Sequence, residues 1–272
     1  HSVRAVTHTR GGSSYGYDRW RKFLHKGLSA YAKTRNNVLR PDGVSRMSCY
    51  LNLGMVSPFR LAREASAQSG PGVDKFLNEF QTWRELAYCF AYRNPQSLLT
   101  IECLPEWAQR TLKAHAKDFR PKCKSMEELV NAQTGAPVWD AAQHSLNVAG
   151  ELHNNLRMTW GKALLAWSAS PEEAYARLIY LNDHFALDGL SPPSYAGLLW
   201  CLGLFDSPSK DAFADKPIHG VLKTRSLSHK GLDVAAFRKL TEHLCSTVHM
   251  KEEVRSPAQS TIMSWMRSSE HL

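Results

Sequence analysis

Between Trp139 and Trp200 this chain collects indoles, one arginine, amides and carboxylates at spacings that can hold an electron carrier. Trp139 precedes the run Leu152-His153-Asn154-Asn155-Leu156-Arg157-Met158-Thr159-Trp160. Trp167 follows, and then come Leu181-Asn182-Asp183, Asp188-Gly189 and Trp200. On a helix, Arg157, Trp160, Leu164 and Trp167 share one stripe, because steps of three and four residues return to the same face. A guanidinium buried beside indoles is costly unless something anionic or electron-rich lies against it. Large aromatics at helical spacing are most often plain core, so the surrounding residues decide between the two readings.

The elements that must position these side chains read as helices nearly throughout, with no strand alternation. The fold class expected is all-α with long loops. Residues 1–16 are polar and Gly/Ser-rich and read as a flexible arm; residues 17–250 form the helical domain; residues 251–272 form a tail with a possible short helix at about 257–269. Asp18 is the expected cap of a helix running to about Thr34. Ser57-Pro58 opens another, ended by Gly70, since Ser at the N-cap with Pro in the first turn is a start signal. A long helix is expected over about Val73 to Tyr92, and Pro105 starts the next. Ser125-Met126-Glu127-Glu128 and Ser170-Pro171-Glu172-Glu173 are capping boxes. Two helices broken near Gly150 lie between them. Another helix covers about Tyr195 to Phe205, residues 206–232 read as an irregular loop, and Asp233 opens a helix to about Met250.

The 272 residues are 43% hydrophobic, enough for a large core, and carry a formal charge of +9. A basic balance suits a polyanionic partner such as nucleic acid, although charge alone does not separate that from an ordinary basic protein. The six cysteines make no C-x-x-C pair and no zinc spacing, so no metal site is expected and reduced thiols in an intracellular setting are. No apolar run reaches the ~20 residues of a membrane span. The chain begins at His1 and not Met, which points to a fragment, a processed form or the ordered part of a longer protein.

Roughly Trp20 to Asp233 resembles the FAD-binding half of the DNA photolyase and cryptochrome family, closest to the class II photolyases. Tyr31, followed by Ser45-Arg46-Met47-Ser48-Cys49-Tyr50-Leu51, is similar to the family's tyrosine and diphosphate-holding loop. Ser45, Ser48 and the Met47 backbone are the implied phosphate contacts, for which hydroxyls and N–H groups near a helix start are suited. Val44 and Cys49 stand where the family often has Thr and Pro, which implies the loss of one contact. Phe76-Leu77-Asn78-Glu79-Phe80-Gln81-Thr82-Trp83-Arg84 resembles the core helix, with Arg84 as the flavin-contacting arginine. Trp83 and Asn154 match class I more than class II. Arg157 is implied to lie against the isoalloxazine and to pair with Asp188, which would stabilise an anionic reduced ring. Asn182 matches the class II residue facing flavin N5. Asp183 is either a second flavin-side carboxylate or a solvent contact at a helix end.

By the same resemblance, Trp160, Trp139 and Trp167 are the triad that carries an electron from the protein surface to photoexcited FAD, with Trp160 nearest the ring. Glu79, Trp83, Met158 and Trp200 line the cavity for a flipped-out thymine dimer, with Glu79 kept protonated by burial so that it can donate to the developing anion. The rim departs: family members usually read Asp-Gly-Arg-Asp-Pro-Asn-Gly-Tyr where this chain reads Asp188-Gly189-Leu190-Ser191-Pro192-Pro193-Ser194-Tyr195. Nothing in the sequence corresponds to the family's N-terminal antenna domain.

The implied function is light-driven electron transfer from reduced FAD to cyclobutane pyrimidine dimers, with UV-damaged DNA as partner. A non-repairing cryptochrome-like flavoprotein, or a FAD-bearing subunit of a larger complex with a protein partner on the C-terminal tail, is the alternative. A helical scaffold that has lost FAD is a third. The location expected is intracellular: nucleus, plastid or mitochondrion in a eukaryote, cytoplasm otherwise.

Overall fold

A computed structural model of the chain describes Val3 and residues 5–210 and 215–246. Thirteen α-helices follow one another among these residues: α1 (Ser13–Lys26), α2 (Tyr31–Thr34), α3 (Ser48–Asn52), α4 (Pro58–Ser66), α5 (Pro71–Leu77), α6 (Trp83–Arg93), α7 (Glu106–Ala114), α8 (Met126–Val130), α9 (Pro137–Ala149), α10 (Asn154–Trp167), α11 (Pro171–Phe185), α12 (Pro192–Trp200) and α13 (Val234–Ser246). No strand occurs among them beyond one isolated bridge between Lys216 and Gly220. The all-α expectation holds. None of these helices is long and apolar enough to cross a membrane.

Local chemistry sets many of the boundaries. Ser57 accepts from the Arg60 N–H and starts α4. Ser125 and Glu128 make a reciprocal capping box at α8. Ser170 accepts from the Glu173 N–H, while the Glu173 carboxylate reaches one residue further back, to the Ala169 N–H. Gly150 ends α9 at φ 62, and a Cβ there would lie 2.8 Å from the Leu187 side chain, so a glycine is required twice over. At Gly161 a Cβ would meet Cys201 Sγ at 2.5 Å, which is why α10 can approach the end of α12 so closely.

Several expected boundaries move. The first helix starts at Ser13 behind Gly12, not at Asp18, and ends at Lys26, with α2 separate. Residues 5–12 ahead of it are tied down: the Tyr50 hydroxyl donates to the Arg10 carbonyl, and Thr9 bonds Glu151. Contacts far along the chain hold this segment, which local composition does not reveal. The helix begun at Ser57 stops at Ser66, and Gly70 caps the next one. The long helix expected over 73–92 is α5 and α6 joined by a π-helical turn, Asn78–Thr82. α12 begins at Pro192, capped by Ser191. The tail and its short helix lie outside the described residues.

Buried side chains form two clusters. The larger is built on Trp139, Leu146, Leu156, Trp160, Leu164 and Leu178 from α9, α10 and α11. The smaller is built on Trp20, Phe23, Tyr50, Leu61 and Phe76 from α1, α3, α4 and α5. A cavity of about 1140 Å³ is lined by residues from both clusters' elements.

Candidate functional site

Arg157 is the fixed point of the cavity wall. It sits one turn into α10, whose N-cap is His153: the imidazole Nδ1 accepts from the Asn155 N–H at 3.2 Å. Arg157 is buried, donates through Nη2 to Asp188 Oδ1 at 2.8 Å, and donates through Nη1 to Asn182 Oδ1 at 2.9 Å. Both fork nitrogens are therefore engaged, which locks the guanidinium plane. Asp188 lines the cavity beside it.

Asn182 does not reach the cavity. Its amide nitrogen donates to Asp183 Oδ1 and Ser194 Oγ at 2.9 and 2.8 Å, so the whole carboxamide is spent behind the wall. Asp183 is half-buried and does not line the cavity; it accepts from Asn182, from the Leu190 N–H and from the Tyr195 hydroxyl. Tyr195 has its hydroxyl pushed up to about 12, first by burial and then by that carboxylate. Together these residues form a polar buttress that orients Arg157.

Behind the same helix the indoles stand in contact. Trp160 and Trp139 are stacked at 6.2 Å between ring centroids and 11° between planes, and Trp139 meets Trp167 edge-on at 5.4 Å. Trp139 Nε1 donates to the Trp160 carbonyl and Trp160 Nε1 to Gln143 Oε1, so each buried N–H is satisfied and each ring is fixed. All three are buried, Trp167 at 5% exposure included. The contacts run in the order Trp160, Trp139, Trp167, from one turn beyond Arg157 to the last residue of α10. Trp160 is one turn beyond Arg157 and is not itself a lining residue.

Across the cavity, Trp83 and Trp200 lie 4.7 Å apart, and both line it together with Met158. Phe205 packs edge-on to Trp200. Glu79 precedes Trp83 on the π turn. π-helical turns cluster at functional sites because the extra residue redirects side chains. Glu79 is not a lone buried acid: Oε1 lies 2.7 Å from Arg35 Nη2 and 2.7 Å from Lys75 Nζ. Its carboxylate is paired with two cations. Arg84 also lines the cavity, with its guanidinium held on the Tyr88 ring and hydroxyl.

Tyr31, Ser45, Met47, Ser48 and Asn154 all line the cavity. Tyr31 is braced edge-on by Phe23 and Phe76, and burial raises its phenol against the pull of Arg35. The Cys49 thiol, where the family pattern has proline, is buried and pushed up to about 11. Sequence reasoning missed Arg35, His153, His229 and Glu151, all of which line the cavity. His153 is held down at about 4, by burial first and then by His229 and Arg35. Its position directly before Asn154 was the available signal. For Glu151 there was none, because its partners are far away in sequence. No group of three or more His, Cys, Asp or Glu residues able to hold a metal occurs among the described residues.

No protein-family model matches the chain. It is 39% identical over 223 residues to a deoxyribodipyrimidine photolyase of Methanothermobacter thermautotrophicus, an alignment covering 82% of this chain and 48% of that protein. It is 36% identical over 243 residues to the deoxyribodipyrimidine photolyase of Oryza sativa subsp. japonica, covering 86% and 47%. The chain thus spans about half the length of the curated relatives it matches. Its fold is similar to a cryptochrome of Synechocystis sp. PCC6803, with a TM-score of 0.66 at 17% identity over 96% of this chain and 53% of that one. A class III photolyase of Agrobacterium tumefaciens gives 0.61 at 19% identity, over 91% and 49%. The chain belongs to the photolyase/cryptochrome family and corresponds to its helical C-terminal region.

Proposed function

We propose that this chain binds FAD in the cavity and serves light-driven electron transfer, with cyclobutane pyrimidine dimers in DNA as the electron acceptor. The observation that carries the reading is the contact series Trp167, Trp139, Trp160 leading through α10 to a cavity wall closed by Arg157 and Asp188. The residues fit the cofactor. A cavity of about 1140 Å³ exceeds the ~300–1,000 Å³ typical of sites for drug-sized ligands. It offers a locked cation at one wall and hydroxyl-bearing loop residues at another. A structure of a related fold, the photolyase of Sulfolobus tokodaii, holds two FAD molecules.

FAD, when bound, supplies a ring that takes up and gives back single electrons after absorbing light. The protein's part follows from its own residues. Arg157 places a fixed positive charge at the wall, which favours negative charge on a neighbouring ring. Asp188, Asn182 and Asp183 keep that guanidinium in one orientation. Ser45 and Ser48 offer hydroxyls for phosphate oxygens. Trp167, Trp139 and Trp160 would pass an electron inward, each indole oxidised by its inner neighbour and re-reduced by its outer one, with an external reductant restoring Trp167. Trp83 and Trp200 give flat surfaces for stacked bases, and Met158 a polarisable thioether beside them. An absorption spectrum before and after blue light with a reductant tests this reading. Flavin bands that bleach support it, and a colourless protein that takes up no FAD removes it.

A second reading, a non-repairing cryptochrome-like flavoprotein, is favoured by Glu79, whose carboxylate is held in ion pairs with Arg35 and Lys75. Light-dependent loss of dimers from UV-treated DNA separates the two: repair sustains the first, and flavin photoreduction without repair sustains the second.

A further inference from the structure

A closed set of hydrogen bonds ties the loop at 45–48 to the turn ahead of α10, and Glu151 is its centre. Glu151 Oε2 accepts from Arg46 Nε at 2.7 Å. Its Oε1 accepts from Arg19 Nη1 at 3.0 Å and from Thr9 Oγ1 at 2.6 Å. Arg19 Nη1 also donates to the Arg46 carbonyl at 3.0 Å, and Arg19 Nη2 to Thr9 Oγ1 at 2.8 Å. Arg46 is therefore held at both its side chain and its carbonyl, by groups that themselves meet on Glu151.

The clamp acts on a backbone that needs one. Arg46 has φ 53, in the left-handed region that residues with side chains avoid. Such a conformation persists where the surroundings over-determine it. Its neighbours Ser45, Met47 and Ser48 line the cavity. Burial by itself would raise the Glu151 carboxyl, but His8, Arg46 and Arg19 outweigh it and hold the group well below the usual carboxylate range. The hub is a carboxylate at any ordinary pH. Arg157 donates to Asp188 and Asn182 and shares no hydrogen bond with this set.

We infer that Glu151 is a positioning residue for a diphosphate-bearing ligand: through Arg46 and Arg19 it holds the 45–48 loop in the shape that presents its hydroxyl and N–H groups to phosphate oxygens. The inference rests on the flavin reading and deepens it, because the part of the cofactor that Glu151 serves is the diphosphate and not the ring. A residue with that role discriminates between FAD and riboflavin, which share the ring and ribityl chain and differ in the diphosphate and the adenosine it carries. A residue that merely supports the fold does not.

The test is to titrate the full chain and its Glu151→Gln variant with FAD and, separately, with riboflavin, following flavin fluorescence. In the variant, affinity for FAD falls about tenfold or more, the scale of hydrogen bonds to charged groups. Affinity for riboflavin stays within about twofold. A parallel fall for both ligands, or unchanged FAD affinity, overturns the inference. Arg46→Gln keeps Glu151 with its bonds to Arg19 and Thr9 and carries the same test if Glu151→Gln does not fold; an unchanged ratio of FAD to riboflavin affinity there also overturns it. A wild-type chain that binds neither flavin removes the flavin reading itself, and the inference with it.

Discussion

At Arg157 one side chain joins stability to ligand binding. Replacing it with Ala leaves Asp188 and the Asn182 carbonyl oxygen without this donor. Loss of about 3 kcal/mol is expected, the lower end for breaking a buried pair because Asp188 keeps 21% side-chain exposure. Urea denaturation measures it, and a shift in midpoint equivalent to less than about 1 kcal/mol would show that the pair is not buried in the sense drawn here. FAD retention on purification drops sharply in the same variant if the cavity is the flavin site. His153 yields a pH prediction. Its folded-state value of about 4 lies below the ordinary 6.5, so the unfolded chain binds more protons between those values. The stability it contributes is fully present above pH 6.5 and declines as pH falls towards 4. In His153→Asn, which keeps an oxygen able to cap α10, the stability profile flattens across that window. An unchanged slope would assign the acid sensitivity to other groups.

The helices α5 and α6 act through their joint. The π turn Asn78–Thr82 gives both Glu79 and Trp83 a place on the cavity. Deleting the exposed Gln81 restores a regular α-helix and rotates one half by ~100° relative to the other. The Glu79 ion pairs and the Trp83–Trp200 contact then cannot both survive. A loss of at least about 1 kcal/mol and an altered near-ultraviolet spectrum of the indoles are expected; a variant with both wild-type stability and spectrum would show the turn to be dispensable. On α10, Trp160→Phe removes the link between the wall and Trp139 but keeps an aromatic ring in the core. Photoreduction slows while FAD content stays as in the wild type, and a normal rate takes Trp160 off the electron path.

For the molecule as a whole, the cavity lined from both buried clusters makes ligand and fold interdependent. A ligand at a free concentration of 100 times its Kd stabilises the folded state by about 2.7 kcal/mol. In a chain of this size that raises Tm by roughly 5–10 °C. FAD at such a concentration is expected to do so in a thermal scan, and no shift with FAD bound would mean that the site forms equally in the unfolded chain or lies outside the cooperative unit. The +9 charge adds a salt-dependent attraction to any polyanion, so DNA binding carries weight only where it distinguishes UV-damaged from intact duplex at fixed ionic strength.

What the sequence by itself determined are the features made by neighbours. The helix starts at Ser57, Ser125 and Ser170, and the break at Gly150, follow from groups three or four residues apart. The stripe that places Arg157, Trp160 and Trp167 on one side of α10 follows from helical period alone. Only the tertiary structure decided which partners the buried charges take. Glu79 meets Arg35, 44 positions away, as well as the local Lys75. Glu151 meets Arg46 across 105 positions and Arg19 across 132. Asn182 and Asp183, which match a cavity-facing pattern, turn instead to Ser194 and Tyr195 behind the wall. The start of α1 and the docking of residues 5–12 were hidden for the same reason. Periodicity and capping are short-range and can be counted along the chain, whereas a buried ionic group settles with whichever distant partner the packing of helices brings within reach, because leaving it unpaired costs more than any local preference can return.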